Sequence, residues 1–252
     1  MTSSPSVIRR PGVGRPVVFL HGFASSGAQD WPDAEWAAVL DGRPRLIVDL
    51  PGHGGSASPG ITTTSAVVDA LADAIAEAVA AVTADAGAAV GGEGGGIAEI
   101  DLVGYSLGAR LAWDLAQHPL LRVRRLVLGG LSAAEPFAFV DVAAAREALR
   151  GGAAPADPLT AMILQLASVP GNRPDALLDL VEGMATAPFD PQSRPPAVPT
   201  LLIGGADDDM FDGADRLVGL LADGRVLRVS GDHRSALHGA DFRAAVRDFV
   251  SD

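Results

Sequence analysis

Ser106 lies at the centre of the most informative motif in this sequence, Gly-Tyr-Ser-Leu-Gly over residues 104–108. The residues before the motif have strand character, and leucines spaced four apart behind it predict a helix. A serine at such a strand-to-helix turn presents its hydroxyl clear of the sheet, and it attacks carbonyl carbons once a base removes its proton. A glycine-rich turn without catalytic function has the same local pattern, so the rest of the chain must supply the base and an acid.

His233 is the best-placed base among the five histidines. In folds built around this turn, the acid and the base follow the serine along the chain. His233 comes just after the predicted strand at residues 226–229, in a loop where a base is expected. His238 lies closer to the final helix and is the alternative. The sequence therefore predicts His233 as the general base.

The acid that orients this base is expected just after the predicted strand at residues 200–203. Asp207, Asp208 and Asp209 stand there in a row. Because adjacent like charges raise each other's pKa, we expect only one of them to face the histidine. The spacing Gly-x-x-Asp selects Asp208, with Asp207 as the second candidate and Glu135, after an earlier strand, as a further alternative.

Two backbone N–H groups are needed to stabilise the negative charge that develops on the carbonyl oxygen. Leu107 directly follows the serine and supplies one of them. The loop His21-Gly22-Phe23 follows the first buried strand, and the N–H of Phe23 is the candidate for the other. His21 itself can also be interpreted as a polar residue that ends the strand, because backbone groups rather than an imidazole do this work.

The elements that would position these residues are short apolar strands alternating with helices. Continuous apolar runs predict parallel strands that are covered on both faces. We therefore predict an α/β fold with a doubly wound, mostly parallel sheet and function at the carboxyl ends of its strands. The predicted strands are 7–9 at one edge, 17–20, 46–50, 100–103, 125–130, 200–203 and 226–229; the predicted helices are 32–40, 65–82, 107–118, 217–221 and 242–250.

A long segment between two of these strands predicts a helical cap over the sheet. We predict a core of residues 1–131 and 200–252 with a cap at 132–199, and a flexible surface insertion at the Ala- and Gly-rich residues 83–96. The weak helical patterns of the cap lie at 140–149, 159–167 and 175–184. Its apolar residues favour an uncharged or hydrophobic acyl substrate, although ordinary packing explains any one of them. These residues are Phe137, Phe139, Met162, Ile163, Leu166, Met184 and Phe189.

Composition narrows the classes of function. The chain has 252 residues, a net charge of −12 and no cysteine. The lack of cysteine excludes disulfides and a thiol nucleophile, and the negative charge argues against nucleic acid as a partner. Without a signal peptide or a membrane-spanning apolar run, we expect a cytoplasmic protein with no membrane partner. We expect a small-molecule substrate, and the sequence implies no metal or organic cofactor. A homodimer is possible on this sequence but not predicted by it.

Five segments together resemble the α/β-hydrolase superfamily over nearly the full length of the chain. They are His21-Gly22-Phe23, Asp-Leu-Pro-Gly-His-Gly-Gly-Ser at 49–56, the motif at 104–108, Gly205-x-x-Asp208 and Gly231-x-His233. The resemblance implies a triad of Ser106, Asp208 and His233. It does not specify the substrate, because the superfamily hosts esterases, lactonases and lyases.

One branch of the superfamily is locally similar to this chain: the menaquinone-pathway synthase that makes 2-succinyl-6-hydroxy-2,4-cyclohexadiene-1-carboxylate. The similarity lies in residues 21–23, 50–54 and 104–110. It implies that Arg110 holds an anionic substrate. The chain departs from that branch at Ala109, where the family has glycine, and at residues 129–134, which lack its histidine-proline segment.

The sequence therefore predicts a carboxylic ester hydrolase that acts through an acyl-enzyme. A synthase-like lyase that uses the same triad on an anionic substrate is the alternative. The predicted substrate-binding residues are His21, Tyr105, Arg110 and Phe137.

Overall fold

A computed structural model describes residues 4–85 and 97–251, and its centre is a seven-stranded sheet. The strands are β1 (Val7–Arg10), β2 (Val17–Leu20), β3 (Arg45–Val48), β4 (Glu99–Tyr105), β5 (Arg122–Gly129), β6 (Thr200–Gly205) and β7 (Gly224–Val229). Their spatial order is β1-β3-β2-β4-β5-β6-β7, and every pair is parallel except β1 with β3. The predicted α/β class with a doubly wound, mostly parallel sheet is confirmed.

Helices cover both faces of the sheet, which explains why the central strands are continuous apolar runs. They are α1 (Gly27–Asp30), α2 (Asp33–Val39), α3 (Thr64–Asp85), α4 (Leu107–Leu115), α5 (Val142–Leu149), α6 (Pro158–Ala167), α7 (Pro174–Ala185), α8 (Ala214–Val218) and α9 (Ala240–Ser251). Along β2, Val18 joins the apolar cluster formed with α3 and α4, whereas Phe19 joins the cluster formed with α2 and α9. Successive side chains of one strand thus fill two separate cores.

The long segment between β5 and β6 contains a short 3-10 helix, Pro136–Phe139, followed by α5, α6 and α7. Ile163, Leu178 and Met184 from this segment belong to the same apolar cluster as α3 and α4. The segment predicted as a cap therefore shares one core with the sheet. Its division from the core at residues 132 and 199 stays a prediction.

Several element ends differ from the sequence prediction. Helix α3 continues through Asp85, three residues past Val82, the last residue of its buried face. Apolar periodicity marks only the buried face, so it does not reveal these last three residues of the helix. The predicted flexible insertion at 83–96 therefore begins inside α3, and its residues 86–96 lie outside the described residues. Helix α4 ends at Leu115 rather than at residue 118. Across the described ranges, none of the helices combines the length and apolarity that crossing a bilayer requires.

Candidate active site

Ser106 forms a strained turn between β4 and α4. Its backbone has φ 51° and ψ −115°, a conformation that non-glycine residues rarely adopt. A Cβ added to Gly104 would lie 2.4 Å from the carbonyl oxygen of Gly108, and one added to Gly108 would lie 2.3 Å from the carbonyl oxygen of Leu20. Both glycines of the motif are therefore required by close backbone approach, and the turn has the geometry of a nucleophile elbow.

Asp208 is the acidic residue that contacts His233. Its Oδ2 lies 2.7 Å from His233 Nδ1, and its Oδ1 accepts a 3.0 Å hydrogen bond from the N–H of Met210. Asp208 is buried, whereas Asp207 and Asp209 are exposed. Of the three adjacent aspartates, the structure thus brings Asp208 to the histidine. A carboxylate at Nδ1 leaves Nε2 as the ring nitrogen that is free to accept a proton.

The loop that carries His233 is fastened to the strand that precedes Ser106. The hydroxyl of Tyr105 donates a 2.6 Å hydrogen bond to the carbonyl oxygen of His233. A Cβ added to Gly130 would lie 2.9 Å from His233 Cε1, so the imidazole lies directly over that glycine. His238, the alternative base, is exposed, and its carbonyl oxygen accepts a hydrogen bond from Arg243.

Tyr105, a predicted substrate-binding residue, is buried in the structure. Only 3% of its surface is accessible, and its hydroxyl already donates a hydrogen bond to the carbonyl oxygen of His233. Burial raises the pKa of this hydroxyl well above its usual value, which keeps it protonated as a donor. Tyr105 supports the His233 loop, and its substrate-binding role stays a prediction.

The same loop is shaped by Asp232. Its Oδ1 accepts hydrogen bonds from the N–H groups of Arg234 and Ser235 and from the Ser235 hydroxyl. These hydrogen bonds lower the pKa of Asp232 to about 2. The carboxylate is therefore ionised at neutral pH and stabilises the turn that contains His233.

Phe23 lies beside the serine with its N–H available. A Cβ added to Gly22 would be 3.5 Å from Ser106 Cβ, so this loop packs against the elbow. The N–H of Gly22 donates to Asp30 Oδ2 at 2.8 Å, but the Phe23 N–H has no hydrogen-bond acceptor within residues 4–85 and 97–251. Leu107 begins α4, so its N–H has no acceptor within the helix either. Among the residues that the structure describes, neither predicted oxyanion donor therefore has a hydrogen-bond acceptor.

His21, a predicted substrate-binding residue, is a buried support of two loops. It is fully buried, its Nδ1 donates to the carbonyl oxygen of Gly22 at 2.7 Å, and its Nε2 accepts from the N–H of Leu50 at 2.9 Å. Burial lowers the pKa of the imidazole, which favours the neutral ring that this pair of bonds needs. These contacts agree with the interpretation of His21 as the polar end of a strand, and its substrate-binding role stays a prediction.

His53 performs a parallel task that the sequence did not reveal. Its Nδ1 donates to the carbonyl oxygen of Pro51 at 3.0 Å, and its Nε2 accepts from the N–H of Ala24 at 3.0 Å. Burial is the main reason that its pKa is lowered to about 3. The loop after β2 and the loop after β3 are thus joined by two neutral imidazoles, those of His21 and His53, whose ring centroids are 5.1 Å apart.

The positive charge of Arg110 is balanced by two nearby carboxylates. Its Nη1 lies 2.7 Å from Asp114 Oδ2 and its Nε lies 3.5 Å from Glu135 Oε2, an ion-pair distance that is too long for a linear hydrogen bond. Its guanidinium carbon lies 4.5 Å above the ring of Phe189. Glu135 faces Arg110, so this alternative acid does not serve His233. Burial raises the pKa of Glu135.

Phe137 is the predicted substrate-binding residue of the cap. It is buried, and its ring centroid lies 5.3 Å from that of Phe23, which carries a candidate oxyanion donor. Phe139 and Met162 are exposed instead, with 74% and 46% of each accessible. Apolar residues of the cap therefore divide between the Phe23 loop, the core and the outer surface.

Within the described ranges, no group of three or more His, Asp or Glu side chains is arranged to hold a metal ion. The groups next to the Ser106 elbow are the backbone N–H groups of Phe23 and Leu107, and the carboxylate–imidazole pair lies in the loop bound to the neighbouring Tyr105. This set can move a proton and stabilise an oxyanion, which is the chemistry of acyl transfer.

Comparison with known proteins places this arrangement in context. The model of the Alpha/beta hydrolase family matches residues 17–247. A 2-succinyl-6-hydroxy-2,4-cyclohexadiene-1-carboxylate synthase of Klebsiella pneumoniae (strain 342) is 35% identical over 117 residues, which cover 45% of this chain and 37% of that relative. The match thus spans little more than a third of the relative's length.

Two solved structures share the fold over nearly their whole length. The structure of MenH from S. aureus has a TM-score of 0.71 at 20% identity and covers 100% of this chain and 98% of that one. The enol-lactonase from Burkholderia xenovorans LB400 has a TM-score of 0.68 at 21% identity and covers 98% and 97%. At identities of 20% and 21%, the similarity shows a shared fold and not a shared activity.

Proposed function

Because this chain belongs to the Alpha/beta hydrolase family, we propose that it is a carboxylic ester hydrolase with Ser106 as its nucleophile. The observation that most supports this proposal is the 2.7 Å contact between the buried Asp208 carboxylate and His233 Nδ1, in the loop fastened beside the Ser106 elbow. An acid, a base and an elbow serine in that chain order are what acyl transfer requires.

In the proposed reaction, the Ser106 hydroxyl oxygen attacks the ester carbonyl carbon while His233 Nε2 takes the hydroxyl proton. The negative charge on the carbonyl oxygen is held by the N–H groups of Phe23 and Leu107. The bond to the leaving alcohol then breaks, and His233 returns its proton to the alcohol oxygen. Water attacks the acyl-serine with His233 as the base, which releases the carboxylic acid and restores the serine hydroxyl.

The roles of the supporting residues follow from their contacts. Asp208 binds Nδ1 of His233, which leaves Nε2 to exchange the proton with the serine, and the charge of Asp208 stabilises the imidazolium that forms. Phe137 packs on Phe23, so its buried apolar ring lies next to the residue that carries an oxyanion donor. These apolar surroundings favour an uncharged acyl group of small to medium size, because a charged group would lose its hydration without gaining an oppositely charged partner.

A synthase-like lyase is the second candidate. The observation in its favour is the 35% identity over 117 residues to the synthase of Klebsiella pneumoniae. Arg110 lines a cleft of about 350 Å³ with His118 and Arg194, but none of the three triad residues lines that cleft. However, the Arg110 charge is already paired with Asp114 and Glu135, and a substrate carboxylate would have to displace them. We therefore rank this function below ester hydrolysis.

The proposal is tested with a panel of p-nitrophenyl esters of increasing acyl length, assayed with the wild-type protein and with Ser106→Ala. We expect the wild-type protein to hydrolyse the shorter, uncharged esters and Ser106→Ala to lose this turnover. If both proteins hydrolyse every ester equally slowly, ester hydrolysis is not the function and the lyase becomes the better candidate.

A further inference from the structure

The N–H of Phe23, the proposed oxyanion donor, belongs to the peptide group that joins Gly22 to Phe23. This peptide group is trans and planar, so its N–H points away from its carbonyl oxygen. A contact that holds the Gly22 carbonyl oxygen therefore also fixes the direction of the Phe23 N–H. His21 makes this contact, because its Nδ1 lies 2.7 Å from that oxygen.

The second contact of the His21 ring determines which of its nitrogens carries the proton. The backbone N–H of Leu50 lies 2.9 Å from Nε2. Because a backbone N–H can only donate, Nε2 must be the acceptor, and the proton of the neutral ring is then on Nδ1. Leu50, in the loop after β3, thus selects the tautomer in which His21 donates to the Gly22 carbonyl oxygen.

The peptide group on the other side of Gly22 is held as well. The N–H of Gly22 donates to Asp30 Oδ2 at 2.8 Å, and this buried carboxylate also accepts from the hydroxyl of Ser25. His21 and Asp30 therefore hold the two peptide groups that flank Gly22. Since the N–H of Phe23 has no acceptor among the described residues, its own peptide group is held at the carbonyl end, by His21.

A second histidine with a similar pair of contacts holds the next peptide group along the chain. His53 Nε2 accepts from the N–H of Ala24 at 3.0 Å, in the peptide group that follows Phe23. Asn172 Nδ2 donates to the carbonyl oxygen of Ala24 at 3.0 Å, one peptide group further on. Neither side chain holds the peptide group that carries the Phe23 N–H, so His53 provides a matched comparison for His21.

We infer that His21 is a positioning residue: by donating from Nδ1 to the Gly22 carbonyl oxygen, it fixes the direction of the Phe23 N–H that stabilises the oxyanion. This inference rests on the proposed ester hydrolysis. His21 is fully buried, and this role needs no contact between its ring and the substrate. Its loss should therefore affect the transition state more than the binding of the ester.

The test compares two variants of His21 with one variant of His53. Asparagine places its amide N–H near the position of Nδ1, so His21→Asn keeps a donor for the Gly22 carbonyl oxygen. Glutamine places its amide near the position of Nε2, so His21→Gln loses that donor. His53→Asn removes the acceptor of the Ala24 N–H. Each folded variant is assayed for kcat and KM on a short p-nitrophenyl ester. NMR follows the carbonyl carbon of Gly22, whose chemical shift reports the hydrogen bond that its oxygen accepts.

For His21→Gln we expect kcat to fall by about 10- to 100-fold with KM changed less than about 3-fold, because a misdirected oxyanion donor acts on the transition state. His21→Asn and His53→Asn should both keep kcat within about 5-fold of the wild-type value. The Gly22 carbonyl resonance should shift in His21→Gln and stay near its wild-type position in the other two variants. An unchanged kcat in His21→Gln, or an equal fall in either of the other variants, would overturn the inference.

The wild-type protein provides a further test that does not depend on whether His21→Gln folds. The nitrogen chemical shifts of the His21 ring should show a proton on Nδ1 and none on Nε2, and the opposite tautomer would overturn the inference. If the wild-type protein hydrolyses no ester, the proposed function fails. The Gly22 carbonyl resonance in the variants then still decides whether His21 holds this peptide group.

Discussion

The carboxylate of Asp208 and the imidazole of His233 are joined by a 2.7 Å contact although 25 residues separate them in the chain. Asp208 follows β6, and His233 follows β7, and these two strands are parallel neighbours in the sheet. The carboxyl ends of parallel neighbours meet at one edge, so the pairing is a consequence of the topology.

Asp208→Asn is expected to lower kcat for ester hydrolysis by about 10³- to 10⁴-fold, because an amide no longer stabilises the imidazolium or fixes its tautomer. Asp207→Asn and Asp209→Asn are the matched controls, since both residues are exposed, and each should retain most of its activity. Steady-state kinetics of the three variants provides the comparison. Equal small losses in all three would show that another acid serves His233.

His233→Ala is expected to reduce kcat by about 10⁴-fold or more, the usual effect of removing the base from a unit that acts together. His238→Ala, a variant of the exposed histidine five residues later, should keep most of the wild-type rate. The two variants are compared on the same p-nitrophenyl ester. A greater loss in His238→Ala would reverse the assignment of the base.

The strands and the elbow could be predicted because their signals are local. Residues 17–20 form a continuous apolar run, and such a run is found where helices cover both faces of a sheet. Ser106 is flanked by two glycines that the close approach of backbone requires. Asp208 and His233 could be predicted as well, because their place after neighbouring strands follows from the same alternation of elements.

The supporting contacts could not be predicted, because they join residues that no local pattern connects. Tyr105 donates to a carbonyl oxygen 128 residues later, and His21 accepts from an N–H 29 residues later. A motif gives the place of such a residue in the chain but not the direction of its side chain. Asn172 lies in a stretch without any distinctive pattern, and only the folded chain brings it to Ala24.

Arg110→Ala is expected to affect stability more than the hydrolysis of neutral esters. Its removal leaves the buried carboxylate of Glu135 without a cation, and breaking such a pair costs roughly 3 kcal/mol. Urea unfolding should detect this loss, while kcat/KM for a neutral ester should change less than about 3-fold.

Glu135→Gln provides the control for this prediction. Combined with Arg110→Ala, it should restore part of the free energy of unfolding, because the buried Glu135 charge is then gone and only the more exposed Asp114 carboxylate lacks its partner. A loss of activity that is steep and confined to anionic substrates would contradict the prediction. It would favour the synthase-like lyase, in which Arg110 binds the substrate.

Acid should weaken the fold through the buried histidines. His53 takes up its proton at a pKa of about 3 in the folded protein, compared with 6.5 in the unfolded chain. Between these values the unfolded state binds more protons, so the free energy of unfolding should fall as the pH is lowered, with a limiting slope of about 1.4 kcal/mol per pH unit. The lowered pKa of His21 acts in the same direction.

His53→Gln tests this assignment, because glutamine keeps an acceptor for the Ala24 N–H but does not titrate. Unfolding in urea at several pH values between about 4 and 6 should give the variant a shallower pH dependence than the wild-type protein, by up to about one proton. Identical slopes would mean that His53 does not contribute to the acid sensitivity of the fold.

The most direct measurement of the central claim is the mass of the Ser106 peptide after a brief reaction with p-nitrophenyl acetate and an acid quench. Acyl-enzyme chemistry predicts one acetyl group on Ser106, formed at a rate that accounts for the release of p-nitrophenol and absent from Ser106→Ala. Turnover of the ester without any acetylated Ser106 peptide, or with the acetyl group on another residue, would contradict the proposal that Ser106 is the nucleophile.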